Sequence, residues 1–165
     1  MMEAILMFSP HSSLINKSSR VIKAEYHKYL QILGFFCSVG GFLAIYYNKN
    51  LHNKNHFTSF HGLLGLVTMI LVLVQNFSGA VITNYKWILP KSMKLAKIKL
   101  LHALLGSLVF LSACSTFYLG LCSNWFVKNS NIYTWYGSAF SILALGGVVL
   151  GQVFNEHVKK RASLQ

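Results

Sequence analysis

Residues 61–82 read His61-Gly62-Leu63-Leu64-Gly65-Leu66-Val67-Thr68-Met69-Ile70-Leu71-Val72-Leu73-Val74-Gln75-Asn76-Phe77-Ser78-Gly79-Ala80-Val81-Ile82, with no Lys, Arg, Asp, Glu or Pro. An α-helix needs about 20 mostly apolar residues to cross the hydrocarbon of a bilayer. Three further windows have the same character, roughly Tyr29 to Tyr47, Leu100 to Leu121 and Ile132 to Phe154. Only helices and closed barrels satisfy their backbone polar groups in lipid, and these continuous runs lack the alternation of barrel strands. The pattern predicts an all-α integral membrane protein, four transmembrane helices in an up-down bundle.

The composition agrees. Of 165 residues, 54% are hydrophobic and 11% charged, against about 25% charged in soluble domains. Glu3, Glu25 and Glu156 are the whole acidic inventory and all lie outside the windows. That excludes paired-carboxylate hydrolysis and carboxylate-rich metal cages. The net charge of +12 could suit nucleic acid, but the cations flank apolar stretches, where they meet headgroups and set orientation. The partner read from this placement is the lipid bilayer, with no nucleic acid.

Twelve of the fifteen Lys and Arg residues fall before the first window, between the second and third, or after the fourth. By the positive-inside rule these segments face the cytoplasm, and four crossings also require both termini to share a side. Residues 1–28 then form a cytoplasmic segment and 155–165 a basic cytoplasmic tail, within one partial domain spanning 1–165. Met1 to Pro10 hold an apolar run with no basic region before it and no small-residue cleavage site after it. This is not a signal peptide, and about ten residues are too few to span. The run reads as the cytoplasmic end of a helix whose beginning lies outside the sequence.

Ionisable groups at membrane depth are functional candidates by default. His27 stands at the cytoplasmic start of the first span, His61 at the opposite-side start of the second, and His102 at the cytoplasmic start of the third. Residues seven apart return to nearly the same helix face, so His27, Gly34 and Gly41 share a stripe, while His61 with Gly65 and His102 with Gly106 are neighbours four apart. Phe60-His61-Gly62-Leu63-Leu64-Gly65 and Leu101-His102-Ala103-Leu104-Leu105-Gly106 form a short internal echo. Small residues beside an imidazole leave room for a flat, bulky group. The alternative is that the glycines only let helices pack closely and the histidines face headgroups.

If His27 and His102 face each other at one depth, they can hold a metal-centred planar cofactor as a helical bundle holds haem. Two imidazoles would fill both axial positions, leaving one-electron transfer as the chemistry. No Cys-x-x-Cys-His occurs, so such a haem is non-covalent and b-type. His11, His52, His56 and His157 read as solvated, with His56 near enough in sequence to approach the outer site. Cys37, Cys114 and Cys122 form no close pair and receive no redox role. Asn16-Lys17-Ser18 is cytoplasmic and Asn76-Phe77-Ser78 lies within a span, so neither glycosylation pattern is usable.

Ordered blocks along most of the chain resemble the cytochrome b561 family, in particular its short b561-domain members proposed to be transmembrane reductases. They are Glu3-Ala4-Ile5-Leu6-Met7-Phe8-Ser9-Pro10 with Ser12-Ser13-Leu14, Tyr26-His27-Lys28-Tyr29-Leu30-Gln31, and Phe60-His61-Gly62. Further on come Leu95-Ala96-Lys97-Ile98-Lys99-Leu100-Leu101-His102-Ala103 and Leu119-Gly120-Leu121-Cys122-Ser123-Asn124-Trp125-Phe126. The resemblance implies six helices, the four spans here matching the last four, with haem b on each side of a four-helix core. His27 and His102 would be the axial pair of the cytoplasmic haem. His61 would ligate the second haem, opposite a histidine on a helix that this sequence does not contain. The chain then looks truncated at its N-terminus, with a complete ligand set for one haem where a full-length member has two.

The resemblance further implies cytoplasmic ascorbate as electron donor and monodehydroascorbate or ferric chelates as acceptors. It also implies an endomembrane location, endoplasmic reticulum or vesicle, with homodimers possible. Lys23, Lys94, Lys97 and Lys99 are candidate contacts for haem propionates or ascorbate, or else ordinary flanking charge. Larger members carry an ascorbate-binding arginine where Ser9-Pro10 stand here. A non-redox four-span scaffold stays open as the alternative; a transporter fits less, since the spans show no broken-helix pair or buried carboxylate.

Overall fold

The computed structural model describes residues 2–8, 13, 15, 17–88 and 94–155. Its helices are α1 (Met2–Leu6), α2 (Arg20–Leu51), α3 (Phe60–Thr83), α4 (Tyr85–Ile88), α5 (Leu95–Leu121), α6 (Asn124–Asn129) and α7 (Ile132–Val153). There is no strand among the described residues. α2, α3, α5 and α7 are each long and apolar enough to cross a membrane, so the four expected spans are present.

Two helices outrun their apolar windows. α2 begins at Arg20 instead of Tyr29, and α5 at Leu95 instead of Leu100. A helix ends where capping ends, not where hydrocarbon ends, because straight-chain Lys, Arg and Glu are good helix formers. With 32 residues, α2 is about 48 Å long and projects beyond a hydrocarbon layer of about 30 Å. Its N-cap Ser19 accepts from the Ile22 N–H at 3.4 Å. Ser59 caps α3 through Gly62 N–H at 3.1 Å, Ser123 caps α6 through Phe126 N–H at 3.2 Å, and Asn131 caps α7 through Thr134 N–H at 2.8 Å. Lys94, at the N-cap of α5, makes no such bond.

α3 packs along α5 more extensively than any other pair, α5 packs on α7, and α2 leans on α3. The short α1 sits between α2 and α7. Exposure is inverted relative to a soluble domain. Phe36, Phe77, Leu108 and Phe140 face outward, while Thr68 and Ser107 are buried. Such a surface would aggregate in water, but lipid tails are as apolar as Leu, so helices meet through small and hydroxyl residues instead.

The α3–α5 seam follows that rule. Thr68 Oγ1 donates to Leu64 O at 2.8 Å and lies 2.7 Å from Ser112 Oγ and 3.2 Å from Thr116 Oγ1. Thr116 returns its hydroxyl to Ser112 O at 2.9 Å. A Cβ at Gly65 would stand 3.4 Å from Thr116 Cγ2, so this glycine admits the facing helix.

α1 is held at its C-terminal end. The last carbonyls of a helix have no partner within it, and here side chains supply two. His27 Nδ1 donates to Ala4 O at 2.7 Å, and Gln152 Nε2 donates to Ile5 O at 3.0 Å. α2 and α7 are thereby tied to successive carbonyls of one turn, beside a fully buried Ala4.

Gly65→Leu should lower stability by about 1–3 kcal/mol through overpacking. Gly147→Leu, where a Cβ would have nothing within 4 Å, should leave it unchanged. Thermal denaturation in detergent compares the two.

Candidate functional site

His27 on α2 and His102 on α5 bring their rings together. The centroids are 6.3 Å apart with the planes at 73°. A metal–imidazole bond is about 2.0–2.1 Å, so two imidazoles sharing one metal have ring centres roughly 6 Å apart. The observed spacing suits that arrangement. Phe8 also lies beside His27, 5.6 Å between centroids.

The hydrogen bonds bear on which nitrogen is free. A carbonyl only accepts, so the bond to Ala4 O puts the His27 proton on Nδ1 and leaves the Nε2 lone pair available. Metal-bound histidines commonly use the other nitrogen in this way. His61 is arranged alike: its Nδ1 donates to Thr116 O at 2.8 Å. His102 Nδ1 lies 2.8 Å from Ser78 Oγ and 3.1 Å from Gln75 Nε2. Each of the three rings is therefore oriented through Nδ1 by a different segment.

The internal echo extends beyond the strings that first reveal it. His61, Gly65, Gln75 and Gly79 on α3 each have a counterpart 41 positions later on α5, namely His102, Gly106, Thr116 and Gly120. Contacts follow the same relation. A Cβ at Gly79 would meet His102 Cε1 at 3.5 Å, and one at Gly120 would meet His61 Cε1 at 3.2 Å. A Cβ at Gly106 would meet Gln75 Nε2 at 2.8 Å, as one at Gly65 meets Thr116. Two antiparallel helices thus seat each other's N-terminal histidine by an approximate two-fold relation.

This corrects one expectation. The space beside Gly65 and Gly106 is filled by Thr116 and Gln75 of the facing helix, because the seam closes over it. Open space is found instead at Gly41, where a Cβ would have no neighbour within 4 Å. The glycines that accommodate the imidazoles, Gly79 and Gly120, lie near the far end of the opposite helix; sequence alone assigns them no role at the histidines, and none to Gln75, Ser78, Thr116, Ala4 or Gln152. The offset of 41 would have found the two glycines.

No histidine ring is paired with His61 among the described residues. His56 does not approach it as a pair: its ring stacks on Tyr46 at 4.2 Å and its Nε2 bonds Asn50 Oδ1 at 2.7 Å. His52 returns Nδ1 to Asn48 O at 2.8 Å. His11 and His157 lie outside the described residues. Of the four candidate lysines, Lys23 is buried at 9% exposure, whereas Lys94, Lys97 and Lys99 are exposed at the start of α5. Lys23 precedes His27 by four positions and Lys99 precedes His102 by three, so each lies one turn away on its histidine's face.

The family model for eukaryotic cytochrome b561 matches residues 1–127. The chain belongs to the eukaryotic cytochrome b561 family. Transmembrane reductase CYB561D2 of Homo sapiens and of Bos taurus are each 34% identical to it over 161 residues, 98% of this chain and 72% of theirs. Probable transmembrane reductase CYB561D1 of Mus musculus is 28% identical over 161 residues, 98% of this chain and 69% of its own. No solved structure matches the chain. Membership of the cytochrome b561 family implies a b-type haem, and the His27–His102 pair fits one by its spacing and by the free Nε2 of His27. The family match ends at residue 127, so α7, which supplies Gln152 to the clamp on α1, lies beyond it.

Proposed function

We propose that this b561-family protein is a transmembrane oxidoreductase in which His27 and His102 hold a b-type haem on the cytoplasmic side. The observation that carries the reading is the 6.3 Å approach of two imidazoles from different helices, each engaged at Nδ1. A haem with both axial positions filled supplies one-electron transfer and offers no open position to oxygen or substrate. The protein's part is to orient both rings, through Ala4 O on one side and α3 on the other, and to hold the site between apolar helices.

The named reductase relatives support a reductase role for this chain. Cytoplasmic ascorbate is the proposed donor, with monodehydroascorbate or a ferric chelate as acceptor across the membrane. Lys23, Lys94, Lys97 and Lys99 are the proposed cationic contacts for propionates or for the ascorbate anion, supported by the one-turn placement of Lys23 and Lys99 beside the two ligands. His61 is proposed as one of the two ligands of a second haem; no imidazole is paired with it among the described residues, so one bound haem is the expectation for this chain. The proposed setting is an endomembrane, endoplasmic reticulum or vesicle, with both termini cytoplasmic and a homodimer as a possible assembly.

An optical difference spectrum of the purified chain before and after ascorbate, with a pyridine haemochrome count, tests the reading. The expected result is one haem per chain, lost in His27→Ala and in His102→Ala and retained in His61→Ala. A folded, helical preparation without haem sinks it and leaves a membrane scaffold. Orientation is tested separately with an inserted glycosylation acceptor. One placed within residues 52–56 should be modified and one within 89–93 should not; the reverse pattern would invert the topology.

A further inference from the structure

Gln75, Asn76 and Ser78 interrupt the apolar run of α3 at membrane depth, where a polar side chain without a partner is costly. Asn76 spends its amide along its own helix, on Val72 O at 2.9 Å. Gln75 and Ser78 instead reach α5. Gln75 Nε2 donates to His102 O at 2.6 Å and lies 3.1 Å from His102 Nδ1, and Ser78 Oγ lies 2.8 Å from the same Nδ1. Gly106 makes room for Gln75, since a Cβ there would stand 2.8 Å from its Nε2.

The two residues act on Nδ1 in opposite senses. Ser78 has one proton, and Gln75 O at 2.8 Å takes it, because a carbonyl can only accept. The lone pairs of Ser78 Oγ therefore face Nδ1 and receive its N–H. That leaves the Nε2 lone pair free, and a hydrogen bond accepted from Nδ1–H strengthens the imidazole as a ligand. The amide nitrogen of Gln75 can only donate. Beside the same Nδ1 it disfavours the proton there and weakens the ligand.

We propose that Ser78 and Gln75 are opposed positioning residues that set the electron-donating strength of His102, Ser78 raising it and Gln75 lowering it, and thereby set the reduction potential at the His27–His102 site. This rests on the haem reading above. It distinguishes His102 from His27 and His61, whose Nδ1 atoms each donate to a backbone carbonyl.

The test is a potentiometric titration of the full chain in lipid nanodiscs, followed by haem absorbance, for wild type, Ser78→Ala, Ser78→Thr and Gln75→Met. A stronger donor ligand favours ferric iron. Ser78→Ala should raise the reduced-to-oxidised ratio at the wild-type midpoint about tenfold, a shift of about 59 mV for one electron. Gln75→Met should shift it the other way, and Ser78→Thr, which keeps the hydroxyl, should stay near wild type. Haem retained by Ser78→Thr and lost from Ser78→Ala also supports the proposal. Haem missing from wild type overturns the haem reading and this inference with it. Haem present, with a midpoint unmoved in Ser78→Ala or Gln75→Met or moved the same way in both, overturns this inference alone. Loss of haem from both Ser78 variants, or from Gln75→Met, assigns these residues to packing and overturns it too.

Discussion

The seam between α3 and α5 governs the rest of the structure, because it is where polar groups at membrane depth find partners. In hydrocarbon a hydroxyl, amide or imidazole without a hydrogen bond costs several kcal/mol. Thr68, Ser112 and Thr116 satisfy one another there, Gln75 donates to the His102 carbonyl, and Ser78 meets the His102 ring. Close approach is possible because Gly65, Gly79, Gly106 and Gly120 each leave out a side chain where a facing atom comes near. The same glycines that let the helices meet therefore decide where the imidazoles lie.

The second ligand of the pair depends on a much smaller element. His27 is oriented by Ala4 O, a carbonyl at the end of a five-residue helix. An isolated helix of that length is unstable in water. α1 persists because its buried face packs between α2 and α7 and because its orphan carbonyls are taken by His27 and Gln152. The geometry of the site is thus shared between the most extensive contact of the bundle and a single turn clamped by two side chains. It couples α7, which carries no candidate ligand, to the orientation of His27.

Much of this was legible in advance. The four spans follow from length and apolarity, since a bilayer sets a thickness that a helix must match. His27, His61 and His102 stand out for the same reason, as titratable groups inside or beside runs that otherwise exclude them. The short echo around His61 and His102 was visible as a string match and its offset of 41 reaches Gly79 with Gly120, but its continuation to Gln75 with Thr116 was not visible. Gln75 and Thr116 share no residue identity, and their relation is one of contact across the seam. The expectation that glycine beside histidine leaves space for a cofactor misjudged Gly65 and Gly106 for a related reason: a missing side chain is filled by whichever neighbour arrives first, and here that neighbour is the opposite helix.

Chain-local properties, then, settled the class of protein, the number of crossings and which imidazoles are candidates. Hydropathy, charge flanking and helix length act within twenty or so residues and need no knowledge of the neighbours. The pairing of His27 with His102 and the placement of Ser78 and Gln75 on His102 were decided by packing. Each joins residues that are distant in sequence or lie on different helices, and their distances depend on how closely two helices approach. That approach is set jointly by side chains on both surfaces, so reading either surface alone does not yield it.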